Sequence, residues 1–346
     1  MSNYPATNEL LHGILKQVSR SFYLTLNVLP TGVRDQMGLS YLFARAADTI
    51  ADTDLIDRGQ RLKYLNQFRA QFRTTEIDWQ AIQEIQAALI PHQKDSAESI
   101  LLQRLEDCLK LYETYSAGDR ERIQWLMDVL PDGMEMDLTR FPGESAEQLT
   151  ALSTLDELDQ YTYYVAGCVG EFWTRMVCAH SPEMARWNVT EMSAMGVRFG
   201  KGLQLTNIVK DIARDLQNGR CYVPEPLLRE SGLQPADLLN EDNLLKFRPV
   251  LNRLIRLAVE HLDEGWRYTL AIPRSETRQR LACMWPILLA GETLKRVAVA
   301  PGLLNPAVNV KVPRSTVYRV MALTIFTGAN QYVATAYWNR LRAHIV

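Results

Sequence analysis

The chain has 346 residues, 47% hydrophobic and 23% charged, which excludes bulk disorder, since disorder needs low hydrophobicity and high net charge. Lys plus Arg number 38 and Asp plus Glu 40, a net charge of -2, so no general basic surface for nucleic acid is offered. The length suggests two domains at roughly 100–200 residues each, and Gly (18) with Pro (15) fall short of the usual ~12% for the two together, a bias toward helix.

The N-terminal MSNYPATNELLHG has no basic region followed by an apolar core, so no secretory signal is expected. Proline is absent from 31–90, 92–130, 143–181, 183–223 and 314–346, windows long enough for several helices each. Leu39, Leu42, Phe43, Ala46 and Ile50 recur at helical spacing, and so do Leu205, Ile208, Val209, Ile212 and Leu216. Ser145-x-x-Gln148 and Thr154-x-x-Glu157 fit capping boxes and predict helix starts. Prolines collect in 217–249 and 299–314, which read as irregular. Alternating Val/Ile runs, internal repeats and low-complexity segments are not found. The expected fold class is all-α.

The most apolar late stretch, 320–338, contains Thr324, Thr327, Asn330, Gln331 and Thr335. It is too polar for a membrane span of about 20 residues; any membrane contact would be peripheral. Cys108, Cys168, Cys178, Cys221 and Cys283 form no CxxC, and the five His form no HxxxH. This reads as reduced thiols in a cytoplasmic protein with no zinc ligand set.

Two carboxylate pairs carry the chemistry. Asp48 and Asp52, four apart, share one helix face, with Arg45 and Tyr41 continuing it. Two solvated like charges at that spacing repel by roughly 0.2–0.5 kcal/mol, a cost that a bound cation would turn into a gain. Gln204, Asn207, Asp211 and Asp215 form a second row over about three turns. The apolar stripe from Leu205 to Leu216 is that row shifted by about 100°, so the acids sit beside a buried face and should line a cavity. A single such pair is usually a solvated face. Two pairs, each flanked by Arg or amide side chains, point to a site. Carboxylates without His or Cys suit Mg²⁺, which keeps waters and bridges to phosphates. Facing each other, two such helices would hold Mg²⁺ against a diphosphate and favour its departure as an anion. The carbocation left behind needs a dry apolar pocket.

At these residues the sequence resembles the squalene/phytoene synthases, head-to-head prenyl transferases of the all-α isoprenoid synthase fold, over about 10–340. SRSFYL at 19–24 resembles the family's N-terminal substrate segment. YLFARAADTIAD at 41–52 is similar to its first aspartate motif, and YTYYVAGCVG at 161–170 to its tyrosine-led segment. QLTNIVKDIARDLQNGRCYVP at 204–224 resembles its second aspartate motif and following flap. The run MWPILLAGETL at 284–294, with AVNVKVPRSTVYRVM at 307–321, is nearer to the squalene synthase branch, where a basic loop is associated with NADPH.

The resemblance implies roles residue by residue. Asp48 and Asp52 would bind Mg²⁺ and one diphosphate, and Asp211 and Asp215 the other, assisted by Gln204 and Asn207. Ser19, Arg20, Ser21, Arg45 and Arg220 would contact diphosphate oxygens, a task suited to the planar fork of arginine. Tyr161 would face the reacting carbons and direct a proton. Phe22, Tyr41, Val165 and Val169 would line the prenyl channel. Lys311 and Arg314, with Asn207 and Lys210, would hold the phosphates of NADPH. Lys210 stands where the motif often has Arg, and Pro313 interrupts the basic loop. Ala166, Gly167 and Gly170 suit close helix packing or room for a substrate chain.

The implied reaction joins two farnesyl diphosphates through presqualene diphosphate and reduces the product to squalene. A relative without the reduction makes dehydrosqualene or phytoene. An inactive assembly factor should have lost a motif aspartate, and all four are present. Because the motif segments must converge, one helical domain over 1–346 around a central cavity is expected in place of two. No C-terminal anchor like that of eukaryotic squalene synthases is in this sequence. The expectation is a soluble bacterial form, cytoplasmic or peripheral to the membrane, with no obligatory protein partner visible.

Overall fold

The computed structural model describes residues 5–19, 22–53, 56–327 and 330–345. The chain is helical almost throughout. The helices are α1 (Leu15–Ser19), α2 (Phe22–Val28), α3 (Thr31–Asp52), α4 (Arg58–Arg73), α5 (Trp79–Leu89), α6 (Ser96–Gln103), α7 (Leu105–Glu113) and α8 (Ala117–Arg140). They continue as α9 (Leu155–Thr162), α10 (Cys168–His180), α11 (Val189–Gln217), α12 (Glu225–Glu230), α13 (Leu244–Ala271), α14 (Thr277–Val299), α15 (Arg314–Phe326) and α16 (Gln331–Arg342). By packing, the chain divides into two compact units, Met1–Leu138 with Glu171–Val189 and Thr139–Gly170 with Thr190–Val346.

In the first unit α3 buries the predicted stripe Leu39, Leu42, Phe43, Ala46 and Ile50 and packs on α4, α6 and α7. Phe43 lies edge-on to Phe72 at 4.9 Å and to Tyr112 at 6.0 Å between ring centroids. Edge-to-face aromatic pairs add about 0.5–1.5 kcal/mol each beyond the area they bury. The last turn of α3 is held from outside the helix. Arg61 donates to the Ala51 carbonyl at 3.3 Å, and Gln93 donates to the Thr53 hydroxyl at 2.7 Å. Orphan groups at a helix end need such partners.

In the second unit α11 buries Leu205, Ile208, Val209, Ile212 and Leu216, again the predicted stripe. Its upper half runs backbone to backbone against the start of α10. A Cβ on Gly170 would fall 1.9 Å from the Gly196 carbonyl oxygen, and one on Gly200 2.1 Å from that of Ala166. Close packing therefore demands glycine at 170 and 200. Just before α10 the chain widens into a π-helical turn, Tyr163–Gly167. α13 packs on α14, and α14 on α15 and α16.

Three expectations differ from the structure. A two-residue parallel pair exists, β1 (Thr150–Ala151) against β2 (Arg220–Cys221); two-residue strands are too short to show an alternating pattern. The 217–249 region contains α12 and the start of α13, with Pro249 inside that helix. There it costs the one backbone bond to Leu245 that its missing N–H would make. Of the two capping boxes, Thr154 accepts the Glu157 N–H at 3.1 Å, but the Glu157 carboxylate takes the Ser153 N–H instead. Ser145 heads only a three-residue 3₁₀ turn, Ala146–Gln148, without a side-chain cap. The five cysteines are free thiols. Among the described residues no helix is long and apolar enough to cross a membrane.

Candidate active site

The first acid row lies on α3 in the first unit. Arg45 bonds Asp48 at 2.5 Å, and its other terminal nitrogen bonds Glu98 of α6. One guanidinium is thus shared by two carboxylates, and Asp48 and Glu98 keep it charged against the cost of burial. The Asp48 side chain remains 40% exposed, yet the protein around it removes much of its water. That desolvation first, then the charge of Asp52, raises its pKa from 3.8 to about 7. Arg45 opposes the rise; Glu98 and Asp137 add to it. Tyr41 stacks on Phe22 at 5.5 Å and 21°, so these two expected channel residues meet. Ser19 is buried and donates its hydroxyl to the Leu15 carbonyl. Arg20 and Ser21 lie outside the described residues.

The second acid row lies on α11 in the second unit. Gln204, Asp211 and Asp215 are half-buried and Asn207 exposed, beside the buried stripe as the spacing requires. This row carries its own cations. Lys210 pairs with Asp211 at 2.9 Å, and Arg214 reaches Asp211 at 3.5 Å and Asp215 at 4.0 Å. The helix stops at Gly219, whose φ of 77° is left-handed and whose Cβ would meet the Ser145 carbonyl oxygen at 2.9 Å. The chain then turns directly into β2, placing Arg220 opposite Thr150. Beside it, burial pushes the Cys221 thiol up to about 12, so it stays a protonated packing group.

Tyr161 is buried and stacks on Tyr222 at 4.7 Å and 22°, and Tyr222 stands edge-on to Phe141 at 5.1 Å. Val165 in the π turn and Val169 in α10 are half-buried. Lys311 is exposed in the loop before α15, and Arg314 is exposed as the first residue of that helix. Cations at a helix N-terminus suit a phosphate, which the backbone N–H groups also favour.

Glu98, Asp137, Arg214 and Tyr222 join these groups without having been singled out in the sequence. Arg214 had a signal, three residues from Asp211 on the same face. Glu98 had none, lying 53 residues from the arginine it holds.

Among the described residues, no group of three or more His, Cys, Asp or Glu is placed to hold a metal ion. The donor set nevertheless fits Mg²⁺. Each row supplies two hard carboxylates, and in the first, burial and the charge of Asp52 disfavour a bare Asp48 carboxylate. Waters and diphosphate oxygens usually complete a Mg²⁺ shell.

The model of the squalene/phytoene synthase family matches residues 15–316. A squalene synthase of Schizosaccharomyces pombe is 25% identical over 321 residues, covering 92% of this chain and 65% of that protein. The chain thus spans less than two thirds of that relative's length. Among solved structures, the complex of TcSQS with the ligand BPH1237 superposes with a TM-score of 0.79 at 20% identity, covering 97% of this chain and 90% of that one. A dehydrosqualene synthase in complex with a ligand gives 0.63 at 19% identity, with 94% and 97% covered. At these identities the structural likeness shows a shared all-α fold, while the family match runs through both acid rows: the chain belongs to the squalene/phytoene synthase family.

Proposed function

We propose that the chain is a squalene synthase, a prenyl transferase joining two farnesyl diphosphates head to head and acting as one catalytic domain over 1–346. The observation that carries the reading is the retention of both acid rows, each on a helix face beside a buried apolar stripe, within a chain of this family. Asp48 and Asp52 hold one Mg²⁺-bound diphosphate, and Asp211 and Asp215 the other, with Gln204 and Asn207 as amide donors. Mg²⁺, when bound, offsets the negative charge that builds on a departing diphosphate.

Arg45 and Arg220, with Arg20 and the hydroxyls of Ser19 and Ser21, orient diphosphate oxygens. The first farnesyl C–O bond breaks, the diphosphate taking the electron pair. The second farnesyl double bond attacks the allylic cation, and proton loss closes the cyclopropane of presqualene diphosphate. Tyr161 faces the reacting carbons, its hydroxyl directing that proton and its ring, stacked on Tyr222, presenting a π face to the cation. Phe22, Tyr41, Val165 and Val169 exclude water along the prenyl chains. Loss of the second diphosphate gives a cation that rearranges and takes a hydride. NADPH, when bound, supplies that hydride, its phosphates held by Lys311 and Arg314 with Asn207 and Lys210. The enzyme works by positioning and electrostatics, without a covalent intermediate.

A second reading, a dehydrosqualene or phytoene synthase without the reduction, is favoured by Pro313, which takes the N-cap of α15 between the two cations of the loop. The test is to incubate the protein with farnesyl diphosphate and Mg²⁺, with and without NADPH, and identify the hydrocarbon. Squalene formed only with NADPH is the expected result. Dehydrosqualene in both cases moves the assignment to the second reading. No product in either case points to another prenyl diphosphate or to an inactive family member.

A further inference from the structure

Three aromatic side chains from three separate segments meet in one row in the second unit. Phe141 follows α8, Tyr161 lies on α9 and Tyr222 follows β2. All three are buried. Tyr222 occupies the middle. One face stacks on Tyr161 at 22°, and Phe141 stands against it at 74°. A ring clasped in this way cannot swing to another rotamer without breaking a contact. The hydroxyl at the end of Tyr161 therefore keeps one place.

Both partners of the stack are anchored from outside it. On α9, Asp159 pairs with Lys201 of α11 at 2.6 Å. Tyr222 is fixed through its backbone neighbours. The Thr150 N–H donates to the Gly219 carbonyl at 3.1 Å, the Leu152 N–H to the Cys221 carbonyl at 3.1 Å, and the Glu225 N–H to the Leu152 carbonyl at 2.9 Å. These bonds bracket Tyr222 along the chain. The turn that starts the segment is closed as well, since a Cβ on Gly219 would fall 3.1 Å from the Gly143 carbonyl oxygen. Two residues before Tyr222 stands Arg220, the arginine given to a diphosphate in the proposed reaction.

We infer that Tyr222 is a positioning residue for Tyr161. Through the stack it holds the hydroxyl that directs proton loss, and through β2 it ties that position to Arg220. One short segment thus sets both the group that receives the departing anion and the group that guides the cation. The inference rests on the proposed reaction and deepens it.

The test is the fate of the ionised substrate. With farnesyl diphosphate, Mg²⁺ and NADPH, the coupled products, presqualene diphosphate included, are measured against farnesol. Farnesol forms when water adds to an uncoupled allylic cation and gives up a proton. Tyr222→Leu should raise the ratio of farnesol to coupled product about tenfold, with KM little changed. Tyr222→Phe, which keeps the ring, should recover most of the parent ratio. Lost packing alone would lower the amount of folded protein without moving that ratio. In a Tyr161→Phe background Tyr222→Leu should add nothing further, because it acts through the hydroxyl already removed. Should Tyr222→Leu melt early, Phe141→Leu removes the edge contact behind Tyr222 and should move the ratio the same way by roughly two- to fourfold. A folded Tyr222→Leu chain with the parent ratio overturns the inference, as does an undiminished effect in the Tyr161→Phe background. A wild-type chain that forms no coupled product overturns the proposed reaction, and this inference with it.

Discussion

On α3, Arg45 beside Asp48 is divided between Asp48 and Glu98. On α11 the pair Asp211/Asp215 has Lys210 and Arg214 along the same helix. The spacing of the carboxylates is identical; the cations shown beside Asp48 and Asp211 are arranged differently. Like charges at helical spacing repel, and on α3 desolvation first, then the charge of Asp52, raises Asp48 toward neutrality. On α11 the repulsion is answered locally. The comparison teaches that one motif can be built with its arginine shared out to a third carboxylate on another helix and with cations supplied by its own helix.

The largest effect that could break this comparison is loss of an aspartate. Asp48→Asn and Asp211→Asn should each cut product formation from farnesyl diphosphate by roughly 10²–10³-fold or more, followed by chromatography of the hydrocarbon. Near-normal turnover by either variant would sink the metal-site assignment for that row. Their stabilities should diverge. A carboxyl whose pKa rises from 3.8 to about 7 on folding binds protons more readily folded than unfolded. The fold therefore loses stability as pH rises from about 4 to 7. Without metal, Asp48→Asn removes that penalty and should melt roughly 1–3 °C above the parent at pH 8. The gain should vanish near pH 4. Asp211→Asn, which takes the carboxylate from Lys210 and leaves Arg214 with Asp215, should show no gain.

Next in size is Gly200→Ala. Its new methyl meets the Ala166 backbone, which cannot swing aside, so α11 must shift or the fold must strain, at about 1–3 kcal/mol in denaturant unfolding. A milder change at the first row is Glu98→Gln, which leaves Arg45 bound to Asp48 alone. It should lower kcat/KM about tenfold, the size of one charge-assisted contact, with Glu98→Asp recovering part of the loss. Smallest is Arg214→Gln on the exposed side of the second row, worth about 0–1 kcal/mol and a few-fold in KM. An Arg214→Gln effect as large as that of Glu98→Gln would erase the difference between the rows.

Much of the site could be read from local spacing. Both apolar stripes, the acids beside them and Arg45 three residues before Asp48 lie where a 3.6-residue period puts them, because helical geometry relates neighbours within a few turns without reference to the rest of the chain. Beyond that range the sequence is silent. The second partner of Arg45, Glu98, is 53 residues away, and Thr150 pairs with Arg220 through strands too short to carry a pattern. Gly170 suited close packing or room for a substrate chain alike, and only the approach of Gly196 shows that packing requires it, as the approach of Ala166 does for Gly200.

The sequence alone thus determined the helical class, the two acid rows, the faces they occupy and the family they belong to. These follow from periodicity and from motifs contained within single elements. Tertiary structure decided how each carboxylate is neutralised, which glycines cannot change, and that Tyr161 stacks on Tyr222. Electrostatics and burial depend on what lies opposite a side chain, and that is set by packing between elements rather than by the order of residues along one of them.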